Sequence, residues 1–274
     1  MKKYDVKDHA PSLLPDGYEF DLVWSDEFDG DTLDTDKWDY RLCMMGKRHP
    51  AWTDRGVKIE NGCAVFSVFE EGGEVVSSQL QTGYNFMDEP AKDTMFGSDH
   101  LQWQIGKLRE SKHTWKYGYF ECRCRLQHMK GWWSAFWMQS PMIGASLDPK
   151  TSGSEVDIME SFSPGDVKRH YVFTGGYGLD MKRAFAGSGK TLNNIDDFHT
   201  FGLLWTENEY VFYIDGAEDG RISEFVSAVP EFLLISTETM GYRKEDHRPM
   251  REAFEAARAG DTFLVDHVRV FKIK

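Results

Sequence analysis

The stretch YGYFECRCRL, residues 117–126, alternates along its whole length. Phe120, Cys122, Cys124 and Leu126 share one face, while Tyr119, Glu121, Arg123 and Arg125 share the other. That period of two is the signature of a β-strand with at least one face in a core. Working outward, the same kind of segment recurs. GWWSAFWMQS (131–140) reads as the next strand, and EVDIMESF (155–162) follows a Gly/Ser/Pro loop. RHYVFTGGYG (169–178) ends in glycines, and FHTFGLLWTENEYVFYIDG (198–216) reads as strand, polar turn, strand. Toward the N-terminus, DLVWSDEF (21–28) precedes an Asp-rich loop, and VKIENGCAVFSVFE (57–70) carries Asn61-Gly62, a hairpin turn signal, between two apolar runs. The chain closes on FLVDHVRVFKIK (263–274), where alternation sets Leu264, Asp266, Val268 and Val270 against Val265, His267, Arg269 and Phe271. Only RPMREAFEAARAG (248–260) has helical character, with Pro near its start and Gly at its end, and it reads as a loop insertion. No internal repeat or low-complexity linker interrupts the pattern. The expectation is one all-β domain over residues 1–274, a two-sheet antiparallel β-sandwich.

Composition narrows the function. Hydrophobic residues make up 41% of the chain, enough for a packed core. Nine Trp are more than an ordinary core needs, and flat indole rings suit a sugar-binding cleft. A formal net charge of −13 disfavours nucleic acid and anionic membranes as partners. The sequence holds no run of 18 apolar residues that would span a membrane. MKKYDVKDHAPSLLPDGYEF (1–20) lacks the apolar segment of a secretory signal, so the expected location is cytoplasmic, or extracellular if a signal has been removed. Cys122 and Cys124 would lie roughly 6.6 Å apart on one strand face, a poor vector for a disulfide. With Cys43 and Cys63 they read as free thiols.

The chemistry concentrates in SGSEVDIMES (152–161). Glu155 and Asp157 point to one face of a strand. Glu160 would point to the other, unless a β-bulge near Ile158-Met159 returns it to the first. Val156 and Ile158 would then face the core. Three carboxylates on one face repel and raise the pKa of at least one of them. A hydrolytic site needs that asymmetry: one carboxylate ionised to attack, another protonated to donate. On spacing alone, a solvated acidic strand face or a calcium-binding edge reads equally well.

The segment EVDIME resembles the ExDxxE signature of glycoside hydrolase family 16, in its laminarinase and agarase-type branch with a bulged strand. The resemblance covers most of the chain. It runs through VWSDEFDG (23–30), YGYFECRCRLQHMKGWWSAFWMQS (117–140), FHTFGLLWTENEYVFYIDG (198–216) and VDHVRVFK (265–272), in the family's order. It implies a concanavalin A-like β-jelly roll with an open concave cleft and no organic cofactor. It implies Glu155 as nucleophile, Glu160 as general acid/base and Asp157 as the assisting carboxylate. The activity implied is retaining endo-cleavage of a β-glucan or β-galactan, by a β-1,3-glucanase or an agarase/porphyranase-like enzyme. A transglycosylase or a non-catalytic carbohydrate-binding or sensing protein on the same fold is the alternative. The partner is a poly- or oligosaccharide, and the expected state is a monomer. The family's structural calcium would fall to Glu27, Gly62 and Asp266.

Strand alternation puts Trp133, Ala135, Trp137 and Gln139 on the face opposite Phe136 and Met138. With the resemblance, Trp133, Trp137 and Gln139 become substrate contacts. Trp132 is counted with them although its face is undecided, and Trp115 and Trp52 are candidates for outer subsites. Arg41, Lys47, Arg48 and His49 read as a solvated loop near the cleft. Three departures from the family stand out: Gly176 where a His is frequent, Ser134 in place of a Pro, and RLCMMGKRHPAWTD (41–54) in place of the laminarinase loop. All three are read as subsite changes that bear on the sugar and not on the reaction.

Overall fold

The computed structural model describes residues 1–44, 47–88, 100–101, 108–175, 177–178, 180–242 and 248–274. Among them, two antiparallel sheets carry the fold. The first orders seven strands as Arg183–Ala186, His170–Phe173, Glu155–Ser161, Trp132–Gln139, Phe232–Thr239, Gln79–Gln81 and Asp39–Tyr40. The second runs from Ala217–Ile222 through Tyr210–Ile214, His199–Trp205, Gly118–Arg125, Thr262–Ile273 and Cys63–Ser67 to Val57–Glu60, with Phe20–Asp26 also pairing on Thr262–Ile273. One apolar cluster fills the space between them. Phe136, Met138, Val156 and Ile158 enter it from the first sheet, and Phe120, Cys122 and Cys124 from the second. The two-sheet antiparallel sandwich expected from the alternation, and the jelly roll implied by the family resemblance, are the observed architecture.

Local chemistry explains most of the elements. Asn61 and Gly62 adopt φ of 53° and 71°, the left-handed pair that a two-residue hairpin needs, and join Val57–Glu60 to Cys63–Ser67. His199–Trp205 and Tyr210–Ile214 form the second expected hairpin. All four cysteines are free thiols.

The last strand departs from simple alternation. Arg123 pairs with His267 but Cys124 pairs with Val265, so Asp266 is an extra residue. This bulge swaps faces midway: Phe263, Val265, Val268 and Val270 all enter the core. The even-numbered set expected to share a face is therefore split. The outward face here is buried too, because the hairpin of Lys2–Tyr4 and Ser12–Leu14 lies over it. Leu13 donates its backbone N–H to Glu121 at 2.9 Å, and its carbonyl accepts from Tyr119 Oη.

The helix Arg251–Ala259 does more than extend a loop. Ala253 and Ala256 are buried in the main core. Gly131 sits so close that a Cβ there would fall 2.2 Å from the Ala253 nitrogen, and its φ is +97°. Just past the helix, the Asp261 carboxylate accepts from the backbone of His128 and Met129 and from Trp132 Nε1.

Candidate active site

The bulge that the acids require is present, and it sits at Ile158. Across the pair with Trp132–Gln139, Glu155 faces Gln139 and Asp157 faces Trp137. Then Met159 faces Phe136 and Glu160 faces Ala135, which leaves Ile158 as the inserted residue. Ile158 and Met159 both go into the core, and Glu160 turns out. Glu155, Asp157 and Glu160 thus line one groove of about 490 Å³ on the outer face of the seven-stranded sheet. Ala135, opposite Glu160, is the smallest residue in that row and leaves the acid's approach open.

Glu155 is held from behind. Gln139 Nε2 donates to its Oε2 at 2.6 Å, and the Gln139 Oε1 accepts from Asn85 Nδ2 at 2.9 Å. This fixes which end of the Gln139 amide faces the carboxylate. Gln139 therefore orients the nucleophile candidate as well as lining the groove. The Asn85 backbone N–H and Gln81 Nε2 both donate to Asp88, each at 2.9 Å. Burial pushes the Asp88 carboxyl above its ordinary pKa, against the pull of the nearby Arg41 guanidinium.

The groove floor is aromatic. Trp137 donates Nε1 to Ser236 Oγ at 3.0 Å, which fixes its indole plane, and Trp133 stacks on Phe162 at 5.0 Å. Trp52 also lines the groove, with His49 stacked on it at 4.3 Å. Tyr171 and Phe173 continue the surface on the neighbouring strand, stacked at 5.9 Å.

Several sequence-based expectations need correction. Trp132 shares the parity of Phe136 and Met138, is fully buried in the core and donates to Asp261, so it meets no sugar. Trp115 packs between Trp24 and Phe120 against the core and lies away from the groove. Ser134 also faces inward and donates to Gln127 at 2.7 Å, so the missing Pro is a core change rather than a subsite change. Arg41 is not a solvated loop residue: it is 2% exposed and lies over the Trp137 ring at 5.5 Å. Gly176 lies outside the described residues. Met87, Lys168, Arg183 and Glu238 line the groove without any sequence signal, while Met44 falls in the divergent stretch 41–54 and Phe162 directly follows the strand of the acids.

Two of the side chains expected to hold calcium, Glu27 and Asp266, are engaged by basic groups. Both oxygens of Glu27 accept from Arg269, at 2.9 and 2.7 Å. Asp266 accepts from Arg123 at 2.9 Å and faces His267 at 3.1 Å. A divalent cation would have to compete with guanidinium groups already placed there. Among the described residues no group of three His, Cys, Asp or Glu could hold a metal ion.

A sandwich that turns three carboxylates out of one bulged strand, over an aromatic floor, has the side-chain arrangement that glycoside hydrolysis uses. The family model described as "Beta-porphyranase A-D, GH16 domain" matches residues 20–273, and the chain belongs to glycoside hydrolase family 16. It is similar to glucan endo-1,3-beta-glucosidase A1 of Niallia circulans, 26% identical over 92% of this chain. It is also similar to beta-porphyranase B of Phocaeicola plebeius, 25% identical over 99% of this chain and 91% of that protein. The crystal structure of the laminarinase from Rhodothermus marinus has the same fold, with a TM-score of 0.67 at 23% identity over 94% of this chain and 99% of that one. The chain spans 38% of the length of the Niallia glucanase and 66% of two further glucanase relatives.

Proposed function

We propose that this chain is an endo-acting, retaining hydrolase of an anionic β-galactan of the porphyran type. Glu155 attacks the anomeric carbon while Glu160 protonates the leaving sugar oxygen. Water, activated by Glu160 as base, then releases the glycosyl-enzyme with net retention. Asp157 lies between the two in the same row of side chains. The groove faces outward along a sheet, which suits an internal stretch of polymer.

The observation that carries the choice of sugar is cationic. Lys168 and Arg183 line the same groove as the three acids, in a chain of net charge −13, while Arg41 in its wall is 2% exposed and already faces Asp88 at 3.7 Å. A neutral glucan gives such groups nothing to neutralise, whereas a sulfate ester is what a planar guanidinium recognises. The family model and the match to the Phocaeicola porphyranase along nearly its whole length support the same reading. A β-1,3-glucan is the second reading, favoured by the glucanase relatives.

The test is a product assay on porphyran, agarose, laminarin, mixed-linkage glucan and carrageenan, with NMR of the first-formed anomer and Glu155→Gln in parallel. Oligosaccharides of retained configuration from porphyran, lost in the variant, are expected. Cleavage of laminarin but not porphyran would overturn the galactan, and wild-type rates in Glu155→Gln would overturn the mechanism.

A further inference from the structure

A β-bulge leaves a backbone group without its ladder partner, and something has to satisfy it. Between the strands Glu155–Ser161 and His170–Phe173, the ladder pairs Glu155 with Phe173, Val156 with Val172 and Asp157 with Tyr171. Past the bulge, the backbone N–H of Lys168 donates to the Glu160 carbonyl at 2.9 Å. The gap in between is filled by a side chain: His170 Nδ1 lies 2.7 Å from the Ile158 carbonyl. A carbonyl can only accept, so Nδ1 is the donor in this contact.

We propose that His170 is a positioning residue that latches the bulge and thereby aims Glu160 into the groove. Its other ring nitrogen, Nε2, lies 3.2 Å from Asp219 Oδ2. The ring itself stacks on Phe212 at 4.3 Å and 9°. Both of these partners come from the opposite sheet, from Ala217–Ile222 and Tyr210–Ile214, so the imidazole is a strut between the two layers. His170 is 1% exposed, and it touches neither the groove nor a substrate placed in it. The hydrogen bond from His170 holds the Asp219 carboxyl below its usual range. An independent feature shows how tightly the strut is seated. Gly187, at φ +77°, packs flush against it, and a Cβ there would lie 2.5 Å from Asp219 Oδ2 and 3.2 Å from His170 Cδ2.

The geometry separates two half-conservative variants. His170→Asn puts an amide N–H near the place of Nδ1 and keeps the bulge bond. His170→Gln puts it near the place of Nε2, keeps Asp219 and loses the bulge carbonyl. Two readouts are needed, because the catalytic consequence rests on the hydrolase reading above while the latch itself does not. The first is kcat and KM on the polysaccharide that the wild type cleaves. The second is hydrogen–deuterium exchange of the amides at 158–160, which needs no substrate. His170→Gln is expected to lower kcat on the order of 10–100-fold with KM little changed, as for a misaimed general acid. It should also speed exchange at 158–160, while His170→Asn stays near wild type in both. Equal effects of the two variants on exchange would overturn the latch. Faster exchange with unchanged kcat would overturn the aiming of Glu160. A wild-type protein that cleaves none of the polysaccharides would overturn the hydrolase reading, and the exchange contrast would still decide the latch.

Discussion

Glu231 offers the sharpest test of how the floor under the catalytic strand is built. It is fully buried, and its Oε1 accepts the backbone N–H of Ser154, the residue just before Glu155, at 2.8 Å. Desolvation raises its pKa from 4.5 to about 8, only partly offset by the hydrogen bonds from Ser154 and Ser227. The folded value is raised above the unfolded one. Between pH 4.5 and about 8 the folded chain therefore keeps a proton that the unfolded chain releases. The stabilisation is complete below the lower value and is lost as pH rises through the window, at about 1.4 kcal/mol per pH unit. Glu231→Gln is neutral at every pH and keeps an acceptor for Ser154. The variant should match wild type at about pH 4 and exceed it by roughly 4 kcal/mol at about pH 7.5, from about 3 pH units above 4.5 at that slope. The assay is urea denaturation of both proteins across that pH range. Only the difference between them is read, so every other titrating group cancels. A stability difference that does not change with pH would refute the reasoning.

Four further outcomes follow from the two tryptophans, the buried ion pair and the expected calcium site. Trp132→Ala should cost roughly 3–5 kcal/mol of stability in urea, because it empties a core site. Trp137→Ala should instead leave stability near wild type and raise KM roughly tenfold, about 1.4 kcal/mol of lost stacking; the reverse pattern would show that the two faces of this strand are wrongly assigned. Arg269 is fully buried and paired with Glu27, so Arg269→Met should cost about 3–5 kcal/mol by stranding the carboxylate. EDTA should leave the wild-type Tm unchanged, and a drop in Tm that calcium reverses would reinstate the ion at Glu27 and Asp266.

What could be read from the chain alone is what depends on near neighbours. Asn61-Gly62 specifies its turn because few residue pairs take two positive φ angles cheaply and this is one of them. Trp133, Trp137 and Gln139 share a face because strand parity is a property of the strand itself. Even the bulge at Ile158 follows from local conflict, since Glu160 on the core face would be a buried charge. Parity would also have placed Trp132 inside, had it been applied to that residue as strictly as to Phe136. The remainder belongs to contacts between segments far apart in sequence. Nothing near Asp266 announces that its strand must shift register against Arg123. Arg41 becomes a groove residue through Trp137 and Asp88, and Glu231 becomes a buried acid through Ser154. His170 gains its role from a carbonyl left over by a bulge in the next strand and from a carboxylate in the other sheet. Alternation says which way a side chain points; what it meets there is decided only when the two sheets close on each other.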